Sequence, residues 1–257
     1  MADNIARMLA AAIAPDPARP LLTWYDDATG DRTELSGATL DNWVAKTANL
    51  LVDSAGLAPG DLVGVSLPPH WQSAAVLLGS WSAGAEVTAV PGTPVEVLFA
   101  AADRIDPVAG EPATNQIDAV AGSPATNQID AVAGWPAGER YALALAPLAA
   151  PLRTVPAGFT DYVVEVRGHG DHFTPYPAGG PQDAELCARA TERASALGIA
   201  TGDRVLVDAA RHPDPVDWLL APLAVGASVV LCGHLDPARL ADRLATERVT
   251  VDLSRAG

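Results

Sequence analysis

Few side chains in this sequence are suited to chemistry, and each can be weighed by its neighbours. The 257 residues hold five histidines, two cysteines and one lysine, Lys46; the other basic residues are arginines. No Gly-Lys-Ser/Thr occurs, which excludes a P-loop. His169 and His172 form a His-x-x-His with Asp171 between them, in a glycine-rich stretch. A metal centre needs three or four ligands of set geometry, and no fourth group is visible, so these read as loop histidines. Residues 162–173, YVVEVRGHGDHF, offer a strand followed by Gly-x-Gly, part of a dinucleotide fingerprint. Phe173 stands where the third glycine belongs, and Pro175 and Pro177 forbid the helix that should follow. Ser80-Trp-Ser82-Ala-Gly84 approaches a nucleophile elbow but lacks its first glycine and falls within a helical stretch. Cys187 and Cys232 read as buried small hydrophobes. His70 and His212 each follow the end of an expected strand, where open α/β sheets place ligands. Both are therefore candidate ligand-facing residues, with Trp218 nearby; the competing role is to cap the helices that follow.

A regular run of elements must position these residues. LLTWYDDATGDRTEL at 21–35 predicts two short strands joined by a turn from Asp26 to Asp31. Ser36 or Thr39 can cap the next helix, in which Leu40, Trp43, Val44, Thr47, Leu50 and Leu51 share a face. After the turn GLAPGD, residues 62–67 predict a strand buried on both faces, 70–83 a helix and 86–90 a strand. This is a βαβ unit. Sliding the sequence by 142 residues aligns 56–90 with 198–232 without a gap, and twelve of the 35 positions are identical. Two such units imply an α/β fold of two similar βαβ halves forming doubly wound, mostly parallel sheets. DPARLADRLATERVTVDL adds one more helix and strand. Between the halves, EPATNQIDAVAG is followed at once by SPATNQIDAVAG, a tandem repeat that reads as a surface insertion. The resulting division is 1–102 as the first half, 103–138 as the insertion and 139–257 as the second half.

The bulk composition bounds the partners. With 49% hydrophobic and 18% charged residues the chain can build a packed core, and its net charge of −15 repels phosphate backbones. Nucleic acid is not an expected partner. No long apolar run predicts a membrane span, and MADNIARMLAAAIAP reads as a short amphipathic helix and not as a signal peptide. The expected location is the cytoplasm.

The two halves carry a likeness. RTELSGATLDNWVAKTANLLVDSAGLAPGDLVGVSLPPHWQSAAVLLGSWSAGAEVTAV resembles the opening of an acyl-CoA synthetase, and residues 198–251 resemble the stretch after the phosphate loop of those enzymes. The chain is thus similar to a shortened N-terminal domain of the adenylate-forming superfamily. In that family a Ser/Thr/Gly-rich loop ending in Pro-Lys-Gly holds the ATP phosphates. The corresponding FTPYPAGGPQDAEL at 173–186 keeps Thr174, Gly179, Gly180 and Pro181 but lacks the lysine and the run of hydroxyls. Asp183 and Glu185 suit the dipole of the helix they begin, yet oppose a triphosphate. The magnesium-binding glutamate motif, the ribose-binding aspartate motif and the lysine-bearing C-terminal domain have no counterpart here. Thr201-Gly202-Asp203 aligns with Pro59-Gly60-Asp61 and reads as a turn. The resemblance therefore implies a catalytically degenerate module that needs no cofactor and binds a protein partner or a small acyl ligand. The alternatives are an enzyme that holds ATP and magnesium through backbone amides near Thr174, Gly179 and Gly180, and a half-enzyme completed by a separate polypeptide.

Overall fold

The computed structural model describes residues 4–105, 132 and 135–255. Helix α1 (Ile5–Ile13) is capped by Asn4, whose side-chain oxygen accepts the Arg7 amide at 3.2 Å. Its residues Ile5, Met8, Leu9 and Ala12 turn inward at helical spacing. The expected hairpin follows as β1 (Pro20–Asp26) and β2 (Asp31–Ser36), and Ser36 caps α2 (Gly37–Asn49) by accepting the Thr39 amide. Leu40, Val44, Thr47, Leu50 and Leu51 are buried along that helix and the π-type turn extending it. Trp43 is half-buried and meets Trp71 edge-on, ring centroids 5.2 Å apart.

Then come β3 (Leu62–Ser66), α3 (Trp71–Ser82), β4 (Glu86–Thr88), β5 (Val95–Ala101), β6 (Ala137–Leu143), β7 (Thr160–Asp161), α4 (Tyr162–Val166) and α5 (Asp183–Ala196). The second matched stretch supplies β8 (Arg204–Asp208), a π-type turn running into α6 (Ala221–Ala224), and β9 (Ser228–Gly233). Helix α7 (Pro237–Thr246) and β10 (Val251–Leu253) complete the described chain. The two stretches that align at the 142-residue offset fold alike. Asp61 and Asp203 each accept an amide three residues earlier, from Ala58 and Ala200, at 2.7 Å. Gly60 and Gly202 beside them take φ of +91° and +86°, a region that favours glycine. Thr201-Gly202-Asp203 is a turn.

One sheet has the order β10-β8-β9-β1-β2, parallel except for the β1–β2 hairpin; the other, β4-β3-β5-β6-β7, is parallel throughout. Alternate residues of one strand enter different cores, as the period of two requires. Val205, Val207, Val229 and Leu231 join Val63, Val97 and Phe99 in the large central core, together with the apolar faces of α1, α2 and α3. Leu206, Val230 and Cys232 point the other way, under Leu240 and Leu244 of α7. Leu98 and Ala100 form a third core with Val132 and Trp135. Strands covered on both faces explain the unbroken apolar runs in the sequence.

Three expectations need revision. The sheets do not follow the sequence halves: β1 and β2 of the first half join β8, β9 and β10, while β6 and β7 of the second half join β3, β4 and β5. Pairing partners are chosen by the shared core, which a linear division cannot encode. The end of the stretch assigned to the insertion also belongs to the fold, since Trp135 packs at the third core and β6 begins at Ala137. The tandem repeat lies outside the described residues apart from Val132. Finally, Tyr162–Val166 is a helix and not a strand. Asp161 caps it by accepting the amides of Val163 and Val164, and Tyr162, Val163 and Val166 are buried while Val164 faces solvent. That burial pattern has helical spacing, which a short apolar run in sequence does not reveal.

Candidate functional site

Two adjoining cavities open between α3, β4, the start of α5 and the segment 213–220. The larger has a volume of about 280 Å³, with Leu77, Trp81, Leu186 and Leu220 on its walls. Gln182, Glu185, Arg189 and Asp214 supply its polar groups. The smaller, about 120 Å³, reaches Trp218 between Pro69 and Pro215. Both share Leu77, Val87, Ala89 and Pro215, so they form one apolar cleft. Its size and lining suit a compact apolar group, with hydrogen-bonding and charged side chains on one side.

Beside this cleft lies the loop at the expected phosphate-holding position. Where the resembled family has Pro-Lys-Gly, this chain has Pro181-Gln182-Asp183. The Gln182 side chain is committed to the edge strand: its oxygen accepts the Val87 amide at 3.0 Å and its nitrogen donates to the Val87 carbonyl at 3.3 Å. Asp183 is buried, and one carboxylate oxygen accepts the Ile5 amide at 3.1 Å. Burial pushes the Asp183 carboxyl above the usual carboxylate range, against the lowering effect of its backbone hydrogen bonds. Gly179 donates its amide to the Tyr176 carbonyl at 3.0 Å, and Gly180 is packed against the carbonyls of Gly84 and Ala85. Thr174 is exposed. These residues do not fit a nucleotide triphosphate. The helix start carries a buried carboxylate, the side chain at the lysine position is a neutral amide already paired, and the Gly179 amide is in use.

The histidine candidates lie elsewhere. His70 is 3% exposed and caps α3, its Nδ1 accepting the Gln72 amide at 3.1 Å. Burial drives its pKa down to about 3, and Trp24 packs edge-on at 4.7 Å. It is a core helix cap. His212 does not line the cleft; its ring nitrogens meet the Asp217 carboxylate and the Leu253 carbonyl, each at 3.1 Å. Asp217 is held below the usual carboxylate range chiefly by hydrogen bonding to Arg193, at 2.6 and 2.9 Å. Of the three ligand-facing candidates, the structure brings only Trp218 to the cleft. Among the described residues no cluster of His, Cys, Asp or Glu could hold a metal ion, and no helix is long and apolar enough to cross a membrane. Lys46 donates to the His169 carbonyl at 2.5 Å, which anchors the His-x-x-His loop to α2. Ser80 donates to the Val76 carbonyl within its own helix. The sequence reading missed Gln182 and Arg189. Gln182 was signalled by its place after Pro181, whereas Arg189 had no signal beyond one surface charge among many.

No protein-family model matches the chain. A "TIGR03089 family protein" of Mycobacterium tuberculosis (strain ATCC 25618 / H37Rv) is 42% identical over 248 residues, covering 91% of this chain and 91% of its own length. Among solved structures, a Brucella canis acyl-CoA synthetase matches with a TM-score of 0.68 at 19% identity, over 97% of this chain and 46% of its own. A Mycobacterium tuberculosis fatty acyl CoA synthetase matches with a TM-score of 0.63 at 15% identity, over 97% and 49%. The N-terminal domain of FACL13 from the same organism matches with a TM-score of 0.62 at 16% identity, over 98% and 62%. The chain therefore spans about half the length of the synthetases it matches, and it has the fold of their N-terminal domain, shortened.

Proposed function

The chain belongs to the TIGR03089 family, and we propose that it is a catalytically degenerate relative of acyl-CoA synthetases that acts as a binding or partner module. The observation that carries this reading is the pair Gln182 and Asp183. Phosphoryl and adenylyl chemistry depends on fixed positive charge and free amide donors around the phosphates. Here the first position holds a neutral amide sewn to Val87, and the second holds a buried carboxylate that accepts the Ile5 amide. Both side chains are structural. The cleft beside them keeps an apolar lining of Leu77, Trp81, Val87 and Leu220, which favours a compact acyl or aromatic group as ligand. The proposed module uses neither ATP nor magnesium and acts in the cytoplasm.

Thermal unfolding of the chain with Mg·ATP, with a non-hydrolysable acyl-adenylate mimic, and with short or aromatic carboxylic acids tests it. A ligand at about 100 times its Kd adds about 2.7 kcal/mol, several degrees for a chain of this size. The expected result is no shift with Mg·ATP or the mimic and a shift with a compact acid. A shift with the mimic would overturn the degenerate reading, and pyrophosphate exchange would then measure the activity.

A further inference from the structure

Helix α1 and the loop at 176–183 hold one another by polar contacts. Asp183 accepts the Ile5 amide, the first amide of α1, which helix geometry leaves without an intrahelical partner. Asn4, the α1 cap, donates its side-chain amide to the Tyr176 carbonyl at 3.4 Å, and Arg7 donates to the Pro177 carbonyl at 3.0 Å. Gly179 lies against both Asn4 and Asp183. Its φ is +70°, and a β-carbon there would lie 2.5 Å from the Asp183 carboxylate and 2.6 Å from the Asn4 side-chain nitrogen. The opposite side of the loop is tied to the first matched unit, through Gln182 to Val87 and through Gly180 against Gly84 and Ala85. The loop is thus clamped between α1 and the edge of a sheet.

We infer that α1 is a built-in strap, and that its first turn holds the 176–183 loop against the β4 edge with Asp183 as the anchor. Asp183 is 1% exposed, and its other carboxylate oxygen has no hydrogen-bond partner. A buried carboxylate in that position is held by the Ile5 amide and by the positive ends of α1 and of α5, the helix it begins. If the first turn lifts, the carboxylate loses its partner and draws the loop toward water. If the loop leaves, the α1 terminus loses its acceptor. The coupling is reciprocal, and it holds whether or not the cleft takes a ligand.

Native-state hydrogen exchange on the full chain tests the strap, comparing wild type with Asp183→Ala and Asp183→Asn. The reporters are the Met8 amide in α1, bonded to Asn4, and the Gly179 amide in the loop, bonded to Tyr176. Asp183→Ala leaves Ile5 unpaired and should raise exchange at both reporters together by about tenfold. Asp183→Asn keeps an oxygen for Ile5 and should leave both near wild type, while Val205 and Val229 in the sheet stay protected in every variant. Should Asp183→Ala fail to fold, Asn4→Ala removes the cap and the Tyr176 contact, and the same paired increase is expected. Loop protection unchanged in a variant that frees α1, or no change at either reporter, would overturn the strap.

Discussion

His70 gives this fold an acid-sensitive helix cap, and its effect can be worked from the structure. The imidazole sits in the core beside Trp24, and Nδ1 must stay unprotonated to accept the Gln72 amide. Burial penalises the charged imidazolium and outweighs the nearby Asp26 carboxylate, which drives the folded-state pKa down to about 3 from the ordinary 6.5; protonation would also break the cap bond. Between these values the unfolded chain binds a proton that the native chain refuses. The contribution to stability is therefore fully present above pH 6.5 and shrinks as pH falls toward 3, by about 1.4 kcal/mol per unit. At pH 5 the loss is about 2 kcal/mol, or roughly 4–8 °C in Tm for a chain of this size. His70→Asn isolates the effect, because its side-chain oxygen can take the Gln72 amide and does not titrate. The variant starts from a lower stability, having lost the ring packed on Trp24. Denaturant unfolding of both proteins at pH 7, 6 and 5 gives the two slopes, and the carboxylates common to both cancel in the difference. Wild type should lose about 2 kcal/mol more than His70→Asn between pH 7 and pH 5. Parallel profiles would refute the reasoning, since His70 would then be protonated or hydrated in the native state.

Other substitutions probe the packing and the cleft. Gly79→Ala places a β-carbon 2.6 Å from Thr47 Cβ where α3 crosses α2. It should destabilise by about 1–3 kcal/mol in chemical denaturation, overpacking outweighing the helix propensity of alanine. Trp218→Ala empties a core position at the end of the cleft and should lower stability by about 3–5 kcal/mol, read from the denaturant midpoint. Asp27 and Arg243 form a buried ion pair at 2.6 Å. Asp27→Ala strands the guanidinium and should cost about 3–5 kcal/mol, with Asp27→Ala/Arg243→Met recovering part of the loss. Gln182→Ala breaks both links to Val87 and should destabilise by about 1–3 kcal/mol, with faster exchange confined to β4 and the loop.

The sequence by itself determined the local elements. Short unbroken apolar runs marked β3 and β8, the helical spacing from Leu40 to Leu51 marked α2, Ser36 marked its start, and the glycine-aspartate turns marked the units at 56–90 and 198–232. These features rest on contacts between residues a few positions apart, which composition and spacing record directly. It also exposed the weakened loop, because a missing lysine is visible without coordinates. Tertiary structure decided the rest. Leu22 pairs with Val229, and β6 from the second half completes the sheet of the first. Periodicity states which face of a strand is buried but not which strand lies beside it, and that choice is made by the shared core. The roles of His70, Asp183 and Gln182 were decided in the same way. Each is a polar side chain whose partner is fixed by burial, and for Asp183 and Gln182 that partner is far away in the chain. A carboxylate that reads as a helix-dipole residue becomes the anchor of α1 only when Ile5 is folded against it.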